Sequence, residues 1–390
     1  MLGWELPPHN SGGLGVACFQ LCKSLAKNNV DIDFVLPYKT DQENDFMKIH
    51  STTPMHFSKL KNHLNAYDGM DYLSSHAVTS EQLNYEHFVA EKAKENEYDI
   101  IHAHDWLTFR AAMKAKQATN LPLIVHVHSI ESDRSGGESG NPIIRDIERL
   151  GLMMADKVIA VSQMTKESIS REYGIPLDKI SVVHNSLDID ELGELDDENV
   201  YQYIELLKSS GYKIVTNVGR LTIQKNITGL LQAAKDVIEV LPKTIFLIVG
   251  DGDQYQELIA LSAELGILPN VIFAGFQRGK KWRDAFSVAD LFVMPSVSEP
   301  FGITPLEAIN YGTPSLISYQ SGVSEIYKNC LKVDFWDKNE MANKIIGFLR
   351  NDSLAKTMTE MATDEIMSMN WDKSAKATIS EYDKHKKVLA

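Results

Sequence analysis

The sequence predicts an α/β protein made of two doubly wound domains, each built on a parallel sheet. Short β-branched runs alternate with longer stretches of helical period, the pattern of parallel βαβ units. The 390 residues are enough for two domains of ordinary size, at about 150 residues each. The alternation breaks once, at the acidic stretch DIDELGELDDENVYQYIELLKSSG (188–211), which carries no strand pattern.

Taken in order, the chain opens unusually. A doubly wound domain starts with a buried strand that delivers a Gly-rich loop, yet here only Met1-Leu2-Gly3-Trp4 precedes Pro7-Pro8. Either the first strand is almost absent or the chain starts late. Gly12, Gly13 and Gly15 then lead into an amphipathic helix. Strands follow at 32–37, 98–104, 121–129, 157–162 and 180–185, with helices between them. The boundaries expected from this pattern are a first domain over 1–190 and a linker over 191–212. Strands at 213–219, 244–250, 270–275, 290–296 and 314–319 build a second domain over 213–370, and a terminal helix occupies 371–390. Two such domains facing a central cleft would gather the loops at their strand C-termini, where α/β sheets bind ligands.

Composition narrows the function. Hydrophobic residues at 44% and charged residues at 24% are globular values. With 39 Lys+Arg against 53 Asp+Glu the net charge is −14, so the long-range field repels polyanions and nucleic acid is not expected as a partner. The three cysteines, with no C-x-x-C or Cys/His cluster in sequence, read as core thiols in a reducing cytoplasm. No apolar run reaches the length of a membrane span, and the first thirty residues lack an export signal. A peripheral membrane contact through HFSKLKNHL (56–64) is less favoured than a solvated surface segment.

The polar residues gather at strand ends. The backbone N–H groups after Gly12 and Gly13 suit an anion, although Gly-rich turns before helices are common. IIHAHDW sets His102, His104 and Asp105 at the end of one strand, and LIVHVHSIESDRSGG sets His126 and His128 on one face of the next. Metal ligation and ordinary core histidines are the two readings of that group. NVGRLTIQKN places Arg220 and Lys225 on a loop entering a helix, which suits a diphosphate and equally a pair of surface cations. SEPFGITPLEA (298–308) sets Glu299 and Glu307 in a Pro/Gly frame after a strand. DGD at 251–253 has metal-ligand spacing but reads better as a turn.

In this order GWELPPHNSGGLG, HAHDW, HVHSIESDRSGG, VVHNSLD, NVGRLTIQKN and SEPFGITPLEA resemble the retaining glycosyltransferases of the two-domain GT-B type, the family-four group and its relatives the glycogen and starch synthases. The resemblance covers nearly the whole chain, and the E-x7-E frame is its most specific part. It implies two Rossmann-like domains, the first on the acceptor side and the second binding the nucleotide-sugar donor, with the terminal helix crossing back to the first. It assigns Glu299 to the donor sugar and Phe301, Gly302 and Ile303 to the sugar and diphosphate. Glu307 takes the ribose hydroxyls, Arg220 and Lys225 the diphosphate, Gly12 and Gly13 the phosphate-facing loop, His128 the reacting sugar and Asp105 the acceptor side. Carboxylates suit the tasks of Glu299 and Glu307 because they accept strongly from vicinal hydroxyls.

The implied reaction is metal-independent hexosyl transfer, with glucose as the expected hexose, from UDP- or ADP-glucose to a glycan or another hydroxyl acceptor, with no cofactor besides the donor. Retaining enzymes of this fold lack a carboxylate nucleophile, which implies front-face substitution assisted by the leaving phosphate. Glycogen synthases carry Lys-Thr-Gly-Gly where this chain has Asn10-Ser11-Gly12-Gly13, so the donor base and sugar stay open. A nucleotide-sugar 2-epimerase and a non-catalytic sugar-nucleotide binder are the alternatives.

Overall fold

The computed structural model describes residues 1–9, 13–41, 44–56, 76–137, 140–189, 192–196 and 198–386, with 76–80 as backbone only. Gly12 and nearly all of the HFSKLKNHL segment lie outside the described residues. The chain divides into two compact units. One comprises Met1–Arg134, Glu138–Ser186 and Asn370–Ala390, and the other Ser135–Gly137 and Leu187–Met369.

In the first unit, β1 (Asp33–Leu36), β2 (Lys48–Ser51), β3 (Ile101–His104), β4 (Leu123–Val127), β5 (Lys157–Ala160) and β6 (Ile180–Val182) are all parallel. β3 and β4 are buried along their whole length, which is why they read as unbroken apolar runs interrupted only by histidine. Leu2 bridges Val35 of β1 on one side and Ala103 of β3 on the other. Its N–H donates to the His102 carbonyl at 2.8 Å and its carbonyl accepts from His104 N–H at 3.0 Å, while Gly3 N–H reaches the Val35 carbonyl at 3.2 Å. Leu2 therefore stands where a doubly wound sheet has its first strand, and the order becomes β2-β1-Leu2-β3-β4-β5-β6.

Helices cover this sheet and end on local signals. Ser162 caps Gln163–Tyr173 by accepting from Thr165 N–H at 3.0 Å, and Gly174 closes that helix in the left-handed conformation. Asn141 caps Pro142–Met154 with the proline in its first turn. The helix Trp371–His385 returns to this unit, where Trp371 and Ala375 join its core.

The second unit orders its parallel strands β12-β11-β10-β7-β8-β9, with β7 (Lys213–Val218), β8 (Thr244–Val249), β9 (Val271–Gly275), β10 (Leu291–Met294), β11 (Ser315–Ser318) and β12 (Leu331–Val333). The strand order reverses between β7 and β10, the position at which the C-terminal loops of a doubly wound sheet diverge and ligands bind. All ten strands expected from the sequence are present. β2 and β12 were not foreseen. Both are short edge strands: β2 has no buried residue, and β12 buries only Val333, too little for an alternating pattern to register. Among the described residues no helix is long and apolar enough to cross a membrane.

Candidate functional site

In the second unit, the loops after β7 and β10 carry the residues singled out in NVGRLTIQKN and SEPFGITPLEA. After β7 the chain passes Gly219 and half-buried Arg220, makes one 3-10 turn over Ile223–Lys225, and enters the helix Ile227–Val240 through Asn226. Three consecutive side chains tie this loop to the one after β10. Gln224 Nε2 donates to the Ser298 carbonyl at 2.9 Å, and Asn226 Nδ2 donates to the Pro295 carbonyl at 3.0 Å and the Phe335 carbonyl at 2.9 Å. Between them Lys225 Nζ pairs with Glu299 Oε2. Two residues expected to serve neighbouring parts of one ligand are thus in direct contact.

Glu299 is buried, and Ser296 Oγ also donates to its Oε2 at 3.2 Å. Its backbone is held on both sides, N–H to the Gln320 carbonyl at 2.9 Å and carbonyl from Gly322 N–H at 2.8 Å. The Phe301 carbonyl accepts from Val323 N–H at 2.7 Å. Gly302 turns the chain with φ +89°, and a Cβ there would lie 2.9 Å from Glu299 Cγ and from Met294 Cε. Only glycine fits that turn with Glu299 in place. Ile303 then caps the helix Thr304–Asn310, its carbonyl accepting from Leu306 N–H at 2.8 Å. Glu307 stands in the first turn of that helix, half-buried, and desolvation pushes its carboxyl up to about 8. Glu299 and Glu307 therefore differ in kind: one is matched by a cation and the other is held toward its neutral form. DGD at 251–253 is a turn, with Gly252 N–H on Asp251 Oδ1 at 2.8 Å.

In the first unit the candidates lie at the C-terminal ends of β3 and β4. Asp105 follows β3 with φ 57° and ψ 170°, a conformation strained for any residue with a Cβ. Its Oδ1 accepts from His128 N–H at 2.6 Å and Ser129 N–H at 3.4 Å, so the carboxylate pins the start of the loop that carries His128. Burial raises the Asp105 carboxyl to about 7, against the opposing pull of Arg134 and those two amides. His104 Nδ1 contacts His128 Nε2 at 3.0 Å, and burial lowers His128 to about 3, so it is a neutral imidazole at ordinary pH. The loop beyond is braced by Arg134, whose guanidinium meets Glu148 at 2.5 Å, Glu131 at 3.0 Å and Ser129 Oγ at 2.8 Å.

Gly13 opens the helix Gly13–Lys27 with nothing within 4 Å of a hypothetical Cβ. Two residues later Gly15 N–H donates to Glu5 Oε1 at 3.3 Å, so a buried carboxylate already stands at that helix start.

Sequence reasoning did not single out Glu5, Glu148, Gln224, Asn226 or Ser296. The available signal was weak. Four of them stand inside or one or two residues outside a quoted motif, but nothing local says what a short polar side chain will reach.

Comparison with known proteins is consistent across both units. The family description Glycosyltransferase Family 4 matches residues 11–191, and Glycosyl transferases group 1 matches residues 204–365. The chain is 29% identical over 402 residues to an uncharacterized glycosyltransferase of Methanocaldococcus jannaschii, covering 98% of this chain and 97% of that one. It is 25% identical to a glycogen synthase of Mycobacterium tuberculosis over 84% of this chain and 80% of that one. Among solved structures, a sucrose-phosphate synthase from Thermosynechococcus elongatus superposes with TM-score 0.75 at 20% identity, covering 96% of this chain and 93% of that one. The Anabaena protein HepE in complex with UDP-glucose gives 0.70 at 19% identity over 97% and 98%. These likenesses concern the fold.

Proposed function

This chain belongs to the GT-B glycosyltransferases of the family-four type, relatives of the glycogen synthases, and on that premise we propose that it transfers a hexosyl group, with glucose the leading choice, from a nucleoside-diphosphate sugar to a hydroxyl acceptor with retention of configuration and without a metal ion. The observation that carries this reading is the Lys225–Glu299 pair with Arg220 on the same loop, at the strand reversal of the second unit. A donor diphosphate entering there is the stronger anion for Lys225. In taking the cation it releases Glu299 to accept from a sugar hydroxyl.

Glu307, facing the donor from the first turn of its helix, accepts from the ribose hydroxyls, and the backbone of Phe301, Gly302 and Ile303 surrounds the sugar and diphosphate. In the step itself the bond from the anomeric carbon to the diphosphate oxygen breaks while the acceptor oxygen bonds on the same face. The acceptor proton passes to the leaving phosphate oxygen. Arg220 and Lys225 stabilise the charge that develops there. We assign His128, neutral and held by Asp105 through its backbone, to the reacting sugar. Asp105 acts by positioning that loop. HepE in complex with UDP-glucose supports a UDP-sugar as the first donor to try, with ADP-glucose beside it.

The test is a panel of nucleotide sugars followed by NMR, reading donor consumption and the anomeric configuration of the product, with and without EDTA. Retained configuration and activity in EDTA support the reading. Inverted product, or activity abolished by EDTA and restored by Mg²⁺ or Mn²⁺, would overturn it. Epimer formation without acceptor would move the chain to the 2-epimerases.

A further inference from the structure

His102 and His104 on β3 and His126 on β4 form a buried column of imidazoles that the transfer reaction does not use. His126 lies opposite His104 in the parallel register, and the three rings stack with centroids 4.5 to 5.4 Å apart. All three are at most 2% exposed, yet His102 Nε2, His104 Nε2 and both nitrogens of His126 have no hydrogen-bond partner. Buried polar atoms are ordinarily paired, so four unpaired nitrogens in one column call for an explanation.

The nitrogens that are paired supply it. His102 Nδ1 contacts the Tyr382 hydroxyl at 2.5 Å, and His104 Nδ1 contacts His128 Nε2 at 3.0 Å. A histidine bound to a metal through one nitrogen donates the other N–H to a neighbouring acceptor, which sets its tautomer and aims its lone pair. If Nδ1 carries the proton in both rings, Tyr382 Oη and His128 Nε2 are the acceptors, and both free Nε2 lone pairs remain for an ion. Burial lowers all three imidazoles well below their ordinary range, leaving them neutral. One ligand nitrogen from each ring lies within 4.8 Å of the others.

We infer that His102, His104 and His126 form a binding site for one divalent transition-metal ion of the zinc class. Imidazole donors suit zinc, copper and nickel rather than magnesium or calcium. Metal–nitrogen bonds of about 2.0 to 2.1 Å in a tetrahedral set bring ligand nitrogens to about 3.3 Å from one another, so the column closes by side-chain rotation on fixed strands. The Cys18 thiol, from the helix Gly13–Lys27, lies within 4.8 Å of a ligand nitrogen of His104 and one of His128, and with His128 offers a further donor. The ion would give a partner to three of the four unpaired nitrogens, one from each ring. It is separate from the chemistry of transfer, although His104 links it to His128.

The probes are Zn²⁺ and Co²⁺ alone, with no donor or acceptor present, so the outcome does not depend on the transferase reading. Chelator-treated wild-type chain is dialysed against each ion and desalted. Metal content is measured by mass spectrometry, Co²⁺ by its visible absorption, and Zn²⁺ affinity by competition with a chromophoric chelator. The expected result is one ion per chain with Co²⁺ bands of low coordination number. Tyr382→Phe, which keeps the ring, should weaken binding by about 10- to 100-fold through loss of the second-layer acceptor, and His102→Gln and His126→Gln should weaken it further. Wild-type chain that retains no ion, or that shows only octahedral Co²⁺, overturns the inference even if a variant fails to fold. So does an affinity that His102→Gln, His126→Gln and Tyr382→Phe leave unchanged, since the ion would then sit on surface histidines.

Discussion

Glu299 and Glu307 are eight positions apart in one motif and live under opposite electrostatics, so their substitution should fail in different ways. Glu307→Gln is expected to raise the donor KM, with the loss of one side-chain hydrogen bond costing about 0.5 to 1.5 kcal/mol, while Glu299→Gln lowers kcat at the reacting sugar. Steady-state kinetics of both variants decide between these roles, and unchanged constants in both would remove the assignment. Glu307 also makes a pH prediction. Its folded value of about 8 stands above the ordinary carboxylate value of 4.5, so the folded state holds a proton that the unfolded state has lost. The associated stability is present below pH 4.5 and is lost as the pH rises through about 8. Thermal unfolding of the Glu307→Gln variant should be less pH-dependent in that window than wild type. Arg220→Ala should cost roughly 2 to 4 kcal/mol of transition-state stabilisation, a rate loss of about 30- to 1,000-fold, visible in kcat as well as in donor KM. A normal kcat in that variant would place the essential cation elsewhere.

The loops that follow the strands carry the candidate site residues, and glycine shapes the turn at Gly302. Gly302 and Gly312 both lie at positive φ, +89° and +81°, but a Cβ at Gly302 meets Glu299 and Met294 whereas one at Gly312 meets nothing within 4 Å. Alanine at either position should cost about 1 to 3 kcal/mol of stability from backbone strain. Only Gly302→Ala should also lower kcat, because only it displaces Glu299. Measuring unfolding and kinetics on the pair separates strain from site geometry, and equal kcat in both variants would contradict the arrangement. At this scale most of the fold was legible. The ten expected strands carry apolar runs whose character is local, while β2 and β12 are edge segments, KIHS and LKV, too short for a period to register. The loop motifs were legible as residue types at strand ends. Their partners were not, since Gln224 and Asn226 act on atoms tens of residues away.

Across the whole molecule, the helix Trp371–His385 belongs to the unit formed by the opposite end of the chain. Ser374 Oγ donates to the His184 carbonyl at 2.7 Å, Asn28 Nδ2 donates to Asp372 Oδ1 at 2.9 Å, and Ser181 Oγ donates to Glu381 Oε1 at 3.0 Å. Trp371 is buried there, with Ile379 and Tyr382 packed on the same core. Deleting residues 370–390 should therefore destabilise the first unit, at about 1.5 to 3 kcal/mol for each large side chain uncovered, and leave the second unit's unfolding unchanged. Calorimetry of the truncated chain should show one transition lowered and one in place. A uniform shift of both, or none, would contradict this packing.

The sequence by itself determined the alternation of strands and helices, the break between two units and the order of the motifs, because each of these follows from apolar periodicity and turn chemistry within about twenty residues. Tertiary structure alone decided which of those motifs meet. Lys225 reaches Glu299 across 74 positions only because β7 and β10 are neighbours in the sheet. Asp105 holds the His128 amide because β3 pairs with β4. The same pairing stacks His104 on His126, and the returning helix sets Tyr382 against His102. Glu307 departs from an ordinary carboxylate through the density of protein around it, a property of the packed chain that no neighbouring residue in the sequence announces.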